Sequence, residues 1–394
     1  MRLPRTVIVL GLVSFLNDAA SEMITPLLPV FLTAVLGSGA AVVGLVEGVA
    51  EASASFLKIV SGRLADRGWR HKRLVLGGYA LSNLCRPLIG LATAWPWVLG
   101  LRFLDRIGKG LRTAPRDALI AAATPEPLRG RAFGFHRALD NAGAVAGPLL
   151  AFALLRQDVP MTQVFLWSAL PGALVLALLA FGLKEPARPA VAPKPPPLRW
   201  RALDPHLQGL ILAGGALALA AAPEVFVVLW ATGRGLEIAW VPLLWAAASA
   251  IKTPLALLGG EASDRLGRRA VLLGGWGVRV AMLVALALAR DGVWLTWTLF
   301  LGYAGALALT EGPERALIGD HAPPARRATA YGLFHMVVGL AALPGGLLFG
   351  TLWQWWGSTV AFLCSAAVTA LAAAILAWLT RRQPIFRPAS PGNS

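Results

Sequence analysis

One apolar stretch of the chain, LRFLDRIGKGLRTAPRDALI at residues 101–120, carries charged residues at helical spacing. Six of them share one face of the predicted helix: Arg102, Asp105, Arg106, Lys109, Arg112 and Arg116. At about 100° per residue, they fall within an arc of about 120°. Because a charge inside a bilayer costs a few kcal/mol or more, it faces a polar cavity or an opposite charge. We therefore expect Arg102, Asp105 and Arg106 to line a substrate cavity.

Buried carboxylates are the groups of this chain that could take up and release protons. Six lie in apolar stretches of the first half: Asp18, Glu22, Glu47, Glu51, Asp105 and Asp140. Burial raises the pKa of a carboxyl group and a nearby arginine lowers it, so a change of arginine neighbour would switch protonation. The proton-coupling candidates, in order of preference, are Asp18 and Glu22, then Glu47 and Glu51, then Asp140, with His136 as a proton relay. The alternative is that these acids pair with bases of the same half and only hold its helices together.

The second half of the chain carries fewer charges in its apolar stretches and more Trp, Leu and Ala. We expect it to supply apolar and aromatic walls to the same cavity, with Glu224, Trp230 and Trp245 as candidates. For the two tryptophans, the alternative is that each ring anchors a helix at the lipid interface or packs between helices.

The composition predicts the elements that must position these residues. Of 394 residues, 57% are hydrophobic and 14% are charged, and the mean hydropathy is +0.65. A soluble protein carries about a quarter charged residues, so we predict an all-α membrane protein. Twelve helix-length apolar stretches lie at roughly 6–36, 41–61, 74–94, 97–121, 131–155, 163–183, 206–232, 238–259, 270–290, 293–319, 330–352 and 357–380.

Residues 184–205, rich in Pro and Arg, divide these stretches into two sets of six. We predict an N-terminal six-helix bundle at 1–183, a cytoplasmic linker at 184–205, a C-terminal six-helix bundle at 206–380 and a cytoplasmic tail at 381–394. The halves share short motifs at an offset of 198 residues: 114–120 with 312–318, 66–67 with 264–265, and 132–134 with 330–332. These matches indicate an internal duplication. The charged stripe is not repeated, which marks it as functional.

The net charge of +16 is better explained by membrane topology than by nucleic-acid binding. With both termini in the cytoplasm, 22 of the 36 Lys and Arg fall in cytoplasmic segments and only three fall in outer loops, as the positive-inside rule requires. No basic and aromatic module lies outside the membrane to bind nucleic acid. We therefore expect a multi-pass protein of the bacterial inner membrane with both termini cytoplasmic.

Two loops carry the strongest family signal. Residues 62–73 read GRLADRGWRHKR, and residues 260–269 read GEASDRLGRR. Both resemble the G-x-L-A-D-R-x-G-R-R loop of the major facilitator superfamily, at corresponding places in the two halves. The resemblance implies a network that closes in one state and opens in the other, formed by Gly62, Asp66, Arg67, Asp264 and Arg265. Trp69 departs from the pattern, which has Gly there, so we expect a different turn in the first copy.

The fifth apolar stretch carries Gly134, Gly143, Gly147 and Pro148 in the pattern G-x8-G-x3-G-P. It resembles the signature of the family's proton-coupled antiporters, although Ala151 and Phe152 replace the usual closing Gly-Gly. The resemblance implies close backbone packing at the glycines, a bend at the proline and export against proton entry. Arg102 also resembles a family position, at which an arginine lies near the proton-carrying acid.

The sequence favours transport over catalysis. It has no Ser-His-Asp arrangement that we can place, no phosphate loop ending in Gly-Lys-Ser/Thr and no His-Glu-x-x-His, and its two cysteines have no metal spacing. We expect no enzyme activity, cofactor or metal. We expect a monomeric secondary transporter whose partners are a small molecule, protons and the bilayer, working by proton-coupled efflux and alternating access. The alternatives are a proton symporter or facilitator importing a small, anionic metabolite, and a membrane receptor or partner subunit that transports nothing.

Overall fold

The computed structural model describes residues 3–66, 71–183, 200–323 and 327–380. Within these ranges the chain is almost entirely helical and has no β-strand. The physical reason is that a segment crossing hydrocarbon must satisfy its backbone N–H and C=O groups internally, which a helix does. Nine segments of the described ranges are long and apolar enough to cross a membrane.

Twelve membrane helices, α1–α12, can be followed through the described ranges. The first six are α1 Arg5–Glu22, extended by the short turns Leu28–Val30 and Phe31–Val35, α2 Ala40–Asp66, α3 His71–Leu88, α4 Trp95–Ala123, α5 Arg129–Leu155, and α6 Met161–Trp167, which continues as Ala169–Ala177. The next four are α7 Pro205–Leu219, which continues as Glu224–Gly233, α8 Val241–Leu266, α9 Arg268–Leu288 and α10 Val293–His321. The run Arg327–Leu379 contains α11 at 327–356 and α12 at 358–379, because Gly357 breaks it with a φ of 85°.

Two of the stretches predicted to be continuous are interrupted in the structure at corresponding places. The first segment of α1 stops at Glu22, and α7 stops at Leu219 and resumes at Glu224. Pro26 and Pro223 lie in these interruptions. A proline lacks the N–H that a continuing helix needs, and its ring clashes with the preceding turn. Each interruption therefore sets a glutamate beside irregular backbone, which membrane proteins tolerate where the backbone is buried in protein or lines a cavity.

The two halves of the chain use corresponding helix contacts. In the first half, α1 packs on α5, and both α2 and α3 pack on α4. In the second half, α7 packs on the run that contains α11, and both α8 and α9 pack on α10. Since α7 to α12 repeat the contacts of α1 to α6, the packing has the pseudo-symmetry that the 198-residue offset predicts.

Contacts between the halves concentrate at one end of the molecule. It carries the connections from α1 to α2, α5 to α6 and α7 to α8. We call it the outer end, because these connections lie outside in the predicted topology with both termini in the cytoplasm. There, Ala41 N donates to Gln354 Oε1 at 3.1 Å, and the ring centroids of Phe152 and Trp240 lie 5.4 Å apart. One buried apolar cluster spans both halves at this end, whereas towards the termini each half has a cluster of its own. The halves are thus joined at the outer end.

Candidate proton and substrate site

Asp105 of α4 is fully buried at the centre of a charge network in the first half. Its Oδ1 atom accepts a hydrogen bond from Arg86 Nε at 3.0 Å. Its Oδ2 atom lies 3.7 Å from Arg102 Nη1 and 3.8 Å from Arg106 Nε. Three arginines thus surround one carboxylate, so Asp105 lies inside the helix bundle in this state rather than on a cavity surface as we expected.

Arg86 joins three helices around this carboxylate. Its Nη1 atom donates to the backbone oxygen of Asn17 at 3.1 Å, to Asn17 Oδ1 at 2.9 Å and to Asn83 Oδ1 at 3.3 Å. Together with the bond to Asp105, these contacts link α1, α3 and α4. Arg86 was not among the predicted site residues. The available signal was the helical spacing of Ser82, Asn83 and Arg86 in an apolar stretch, which indicates a buried polar face.

Arg102 connects the charge network to α2. Its Nη2 atom donates to Glu47 Oε1 at 2.8 Å, and the Arg102 side chain is 3% exposed while that of Glu47 is 20% exposed. Glu51, one turn further along α2, is exposed. The structure therefore brings Glu47 together with the charged stripe, and leaves Glu51 on a surface of the helix bundle.

Two bases toward the C-terminal end of α4 are held by contacts with α3 or with an adjacent residue. Arg112 Nη1 donates to Ser82 Oγ at 2.7 Å, and its guanidinium lies 4.4 Å from the centroid of the Tyr79 ring. Arg116 pairs with Asp117 at 2.9 Å. These contacts agree with a role in anchoring α4.

Asp18 and Asp140 lie on the faces of α1 and α5 that pack together. Ser14 Oγ donates to Asp140 Oδ1 at 2.6 Å, and Asn17 Nδ2 donates to Asp18 Oδ1 at 3.0 Å. Asp140 is also 3.2 Å from Arg137 Nη1, whose side chain is largely exposed. Both acids are half-buried. Each therefore makes polar contacts between the two helices and is also partly accessible from the surface.

The glycines of α5 differ in what they contact. A Cβ atom on Gly147 would lie 2.9 Å from Ala19 Cα, and Gly143 faces the backbone of Phe15, so these two let α5 pack directly on α1. Gly134 faces open space. Pro148 of α5 is buried. His136 of the same helix is 5% exposed, and its Nε2 atom has no hydrogen-bond partner in the described part of the chain.

Glu22 makes a hydrogen bond that crosses from the first half to the second. Its Oε2 atom accepts from Trp245 Nε1 of α8 at 2.9 Å, and its Oε1 atom accepts from Thr25 Oγ1 at 3.4 Å. Glu22 is half-buried and Trp245 is 8% exposed. Two predicted residues separated by 223 positions therefore meet at the contact between the halves.

Glu224 joins the same group through a residue that was not predicted. Lys252 Nζ lies 2.6 Å from Glu224 Oε2 and 5.7 Å from the centroid of the Trp245 ring. The ring of Phe300 contacts Trp245 at a centroid distance of 6.3 Å. The signal for Lys252 was its spacing of seven residues from Trp245, which sets both on one face of α8.

Trp230 faces a different space from Trp245. It lines a cavity of about 810 Å³ at the outer end, together with Arg234, Asp291 and Gln354. The Arg234 guanidinium lies 5.0 Å from the Trp230 ring centroid and pairs with Asp291 at 2.9 Å. Trp230 therefore lies beside an outer vestibule, and not beside Glu22 as a wall of the central cavity.

The loop that resembles the family's G-x-L-A-D-R-x-G-R-R motif is described fully only in its second copy, residues 260–269. Gly62 and Asp66 lie in the last turns of α2, and Arg67 lies outside the described residues. In the second copy, Arg268 pairs with Asp264 and, at 3.0 Å, with Asp320 at the end of α10. Arg265 instead approaches Glu261 at 3.7 Å and is exposed. Asp264 thus ties α8 to the start of α9, with Arg268 rather than Arg265 as its partner.

Comparison with known proteins places this arrangement among transporters. The profile of the Major Facilitator Superfamily matches residues 10–253 and 233–393. An uncharacterized MFS-type transporter of Methanocaldococcus jannaschii is 34% identical over 365 residues, which cover 89% of each chain. A multidrug resistance protein, MdtH of Photorhabdus laumondii, is 35% identical over 166 residues, which cover 42% of this chain and 40% of the relative.

Solved structures show the same fold. A bacterial homolog of the human lysosomal transporter Spinster, in an inward-facing and occupied conformation, matches with a TM-score of 0.81 at 18% identity, over 97% of this chain and 98% of that one. The nucleoside transporter NupG matches with a TM-score of 0.78 at 14% identity, over 96% of this chain and 100% of that one. The chain therefore has two pseudo-symmetric six-helix bundles.

Within the described ranges, no group of three or more His, Cys, Asp or Glu is arranged to hold a metal ion.

Proposed function

This chain belongs to the major facilitator superfamily, and we propose that it exports a small molecule across the bacterial inner membrane in exchange for protons. The observation that carries the proposal is the hydrogen bond from Trp245 Nε1 to Glu22 Oε2, at 2.9 Å, between the two halves. This hydrogen bond makes a carboxyl group part of the contact between the halves, which must separate when the halves move against each other during transport. The multidrug resistance relative supports efflux over part of the chain.

Loss of charge on Glu22 would weaken the contact between the halves. A hydrogen bond to an ionised acceptor is roughly twice as strong as one to a neutral group. With the termini in the cytoplasm, the outer end faces the outside, and the ionised carboxylate favours the state that is closed there. Substrate that enters from the cytoplasm breaks the contact, so the outer end opens and substrate leaves there. A proton from outside then takes its place on Glu22, and the protonated protein, which is also free of the charged contact, returns to the inward-open state. Release of this proton to the cytoplasm restores the ionised, closed contact, so one cycle moves substrate out and a proton in.

The Glu22→Gln variant in proteoliposomes tests this proposal. Glutamine keeps an acceptor for Trp245 but cannot exchange a proton, so we expect it to abolish ethidium export driven by an inward proton gradient. The export rate from the unaltered protein should rise at least about tenfold when the gradient is imposed, which corresponds to about 1.4 kcal/mol. Glu126→Gln, at an exposed acid in the connection between α4 and α5, is the matched control and should retain gradient-driven export. Gradient-independent transport by the unaltered protein would contradict proton coupling.

A further inference from the structure

One group of residues at the meeting point of the halves contains a positive charge of the protein itself. We call it the Trp245 cluster, and it consists of Glu22, Glu224, Trp245, Lys252 and Phe300. Lys252 Nζ lies 2.6 Å from Glu224 Oε2 and 5.7 Å from the centroid of the Trp245 ring. An ammonium within about 6 Å of a tryptophan ring is attracted by the negative face of that ring. The ammonium of Lys252 therefore has both kinds of partner that an organic cation would seek.

The cluster is open enough for an exchange of one cation for another. The side chains of Lys252 and Glu224 are 31% and 21% exposed, and Glu22 is half-buried. Glu22 and Lys252 contact Trp245, which reaches across to the first half, and Glu224 pairs with Lys252. The three side chains therefore lie where the two halves meet.

The charges of the cluster are unequal. Glu22 and Glu224 contribute two carboxylates, and Lys252 contributes one ammonium. Arg102 of the charged stripe does not offset this excess by a direct contact, because its guanidinium donates to Glu47 Oε1 at 2.8 Å. An incoming cation thus meets a carboxylate beside an aromatic ring, whereas an incoming anion meets a repulsive pair of acids.

We propose that the Trp245 cluster binds the positively charged group of an organic-cation substrate, and that Lys252 occupies this position when substrate is absent. This inference rests on the proposed transport function and specifies its substrate class. Substrate entry moves the Lys252 ammonium away from the Trp245 ring, and the substrate takes over the contacts with the ring and with Glu224. Bases outnumber acids in the apolar stretches of the first half, but this does not argue for an anionic substrate, because Arg86 and Arg102 are already bonded to acids.

Binding of two probes of equal shape and opposite charge tests the inference. Tetraphenylphosphonium and tetraphenylborate are titrated by calorimetry into the purified full-length protein, without any membrane or gradient. Lys252→Met removes the competing ammonium and keeps the apolar stem, so we expect it to bind tetraphenylphosphonium at least about tenfold more tightly than the unaltered protein. Trp245→Leu should bind the same cation about tenfold more weakly.

Two matched variants control for general effects. Arg315→Met removes a base that pairs with Glu311 at 2.6 Å in the same half, and Trp276→Leu removes a tryptophan that donates to Glu314 at 3.0 Å. Both should leave phosphonium affinity unchanged. The inference is overturned if Lys252→Met leaves phosphonium affinity unchanged or strengthens borate binding instead. If Lys252→Met does not stay monodisperse, unchanged phosphonium binding in Trp245→Leu overturns it equally. Since no proton gradient is present, these results are independent of the Glu22→Gln transport assay.

Discussion

Two buried arginines on corresponding helices, Arg86 of α3 and Arg279 of α9, have very different partners. Arg86 bonds to Asp105 and Asn17. Arg279 is 4% exposed, and its Nε and Nη2 atoms have no hydrogen-bond partner in the described part of the chain. At the 198-residue offset, Tyr303 stands where the first half has Asp105. The duplicated half has therefore kept a buried base in this region but lacks the corresponding acid.

This difference predicts opposite effects on stability. Arg86→Met leaves Asp105 without its closest base, and breaking a buried ion pair costs about 3–5 kcal/mol. Arg279→Met removes an under-bonded charge and should leave the melting temperature unchanged or raise it. Thermal unfolding in detergent, followed by tryptophan fluorescence, measures both. Equal losses of stability in the two variants would contradict this prediction, because both arginines would then stabilise the protein to the same extent.

Helix packing at the element scale depends on which glycines face another backbone. Gly147 lies against Ala19 of α1, whereas Gly134 of the same helix faces open space. Gly147→Leu should therefore destabilise the protein by about 1–3 kcal/mol, because the added side chain forces α5 away from α1. Gly134→Leu should be neutral or stabilising, since leucine is the better helix former by up to about 1 kcal/mol.

The melting temperatures of the two variants check this prediction. A similar loss in both would mean that a larger side chain disturbs α5 wherever it is placed, and that the close contact with α1 is not the cause.

The sequence predicted the helices well, because apolar stretches of membrane-spanning length admit few other structures. It did not predict the interruptions in α1 and α7. A proline interrupts a helix only where neighbouring groups satisfy the freed backbone, and Pro115 in the middle of α4 shows that a proline can also be accommodated. Pro26 and Pro223 were visible, but their effect depends on packing.

Individual partners were harder to predict than helices. The charged stripe identified Arg102 and Asp105 as a polar group, but the expectation that they line a cavity did not anticipate that both are buried in this structure. That Arg86 of α3 would be the closest base to Asp105 depends on how α3 turns against α4. The contact of Glu22 with Trp245 depends on how the two halves pack against each other. The sequence of either half alone does not determine this packing.

For the whole molecule, the proposed exchange requires the outer end to open and close with the charge on Glu22. The shared apolar cluster and the contacts between α2 and α11 hold that end closed in this structure. Gln157 and Glu237 are exposed on outer connections of different halves. Their distance therefore reports the closure of the outer end directly.

The most direct measurement of this claim is pulsed electron spin resonance on spin labels at Gln157→Cys and Glu237→Cys, with Cys364→Ala as background. With Glu22 in place we predict mainly the short distance of the closed outer end. With Glu22→Gln added, the longer distance should dominate, because the neutral side chain imitates the protonated acid. A distance distribution that Glu22→Gln leaves unchanged would contradict the claim that Glu22 controls the outer end.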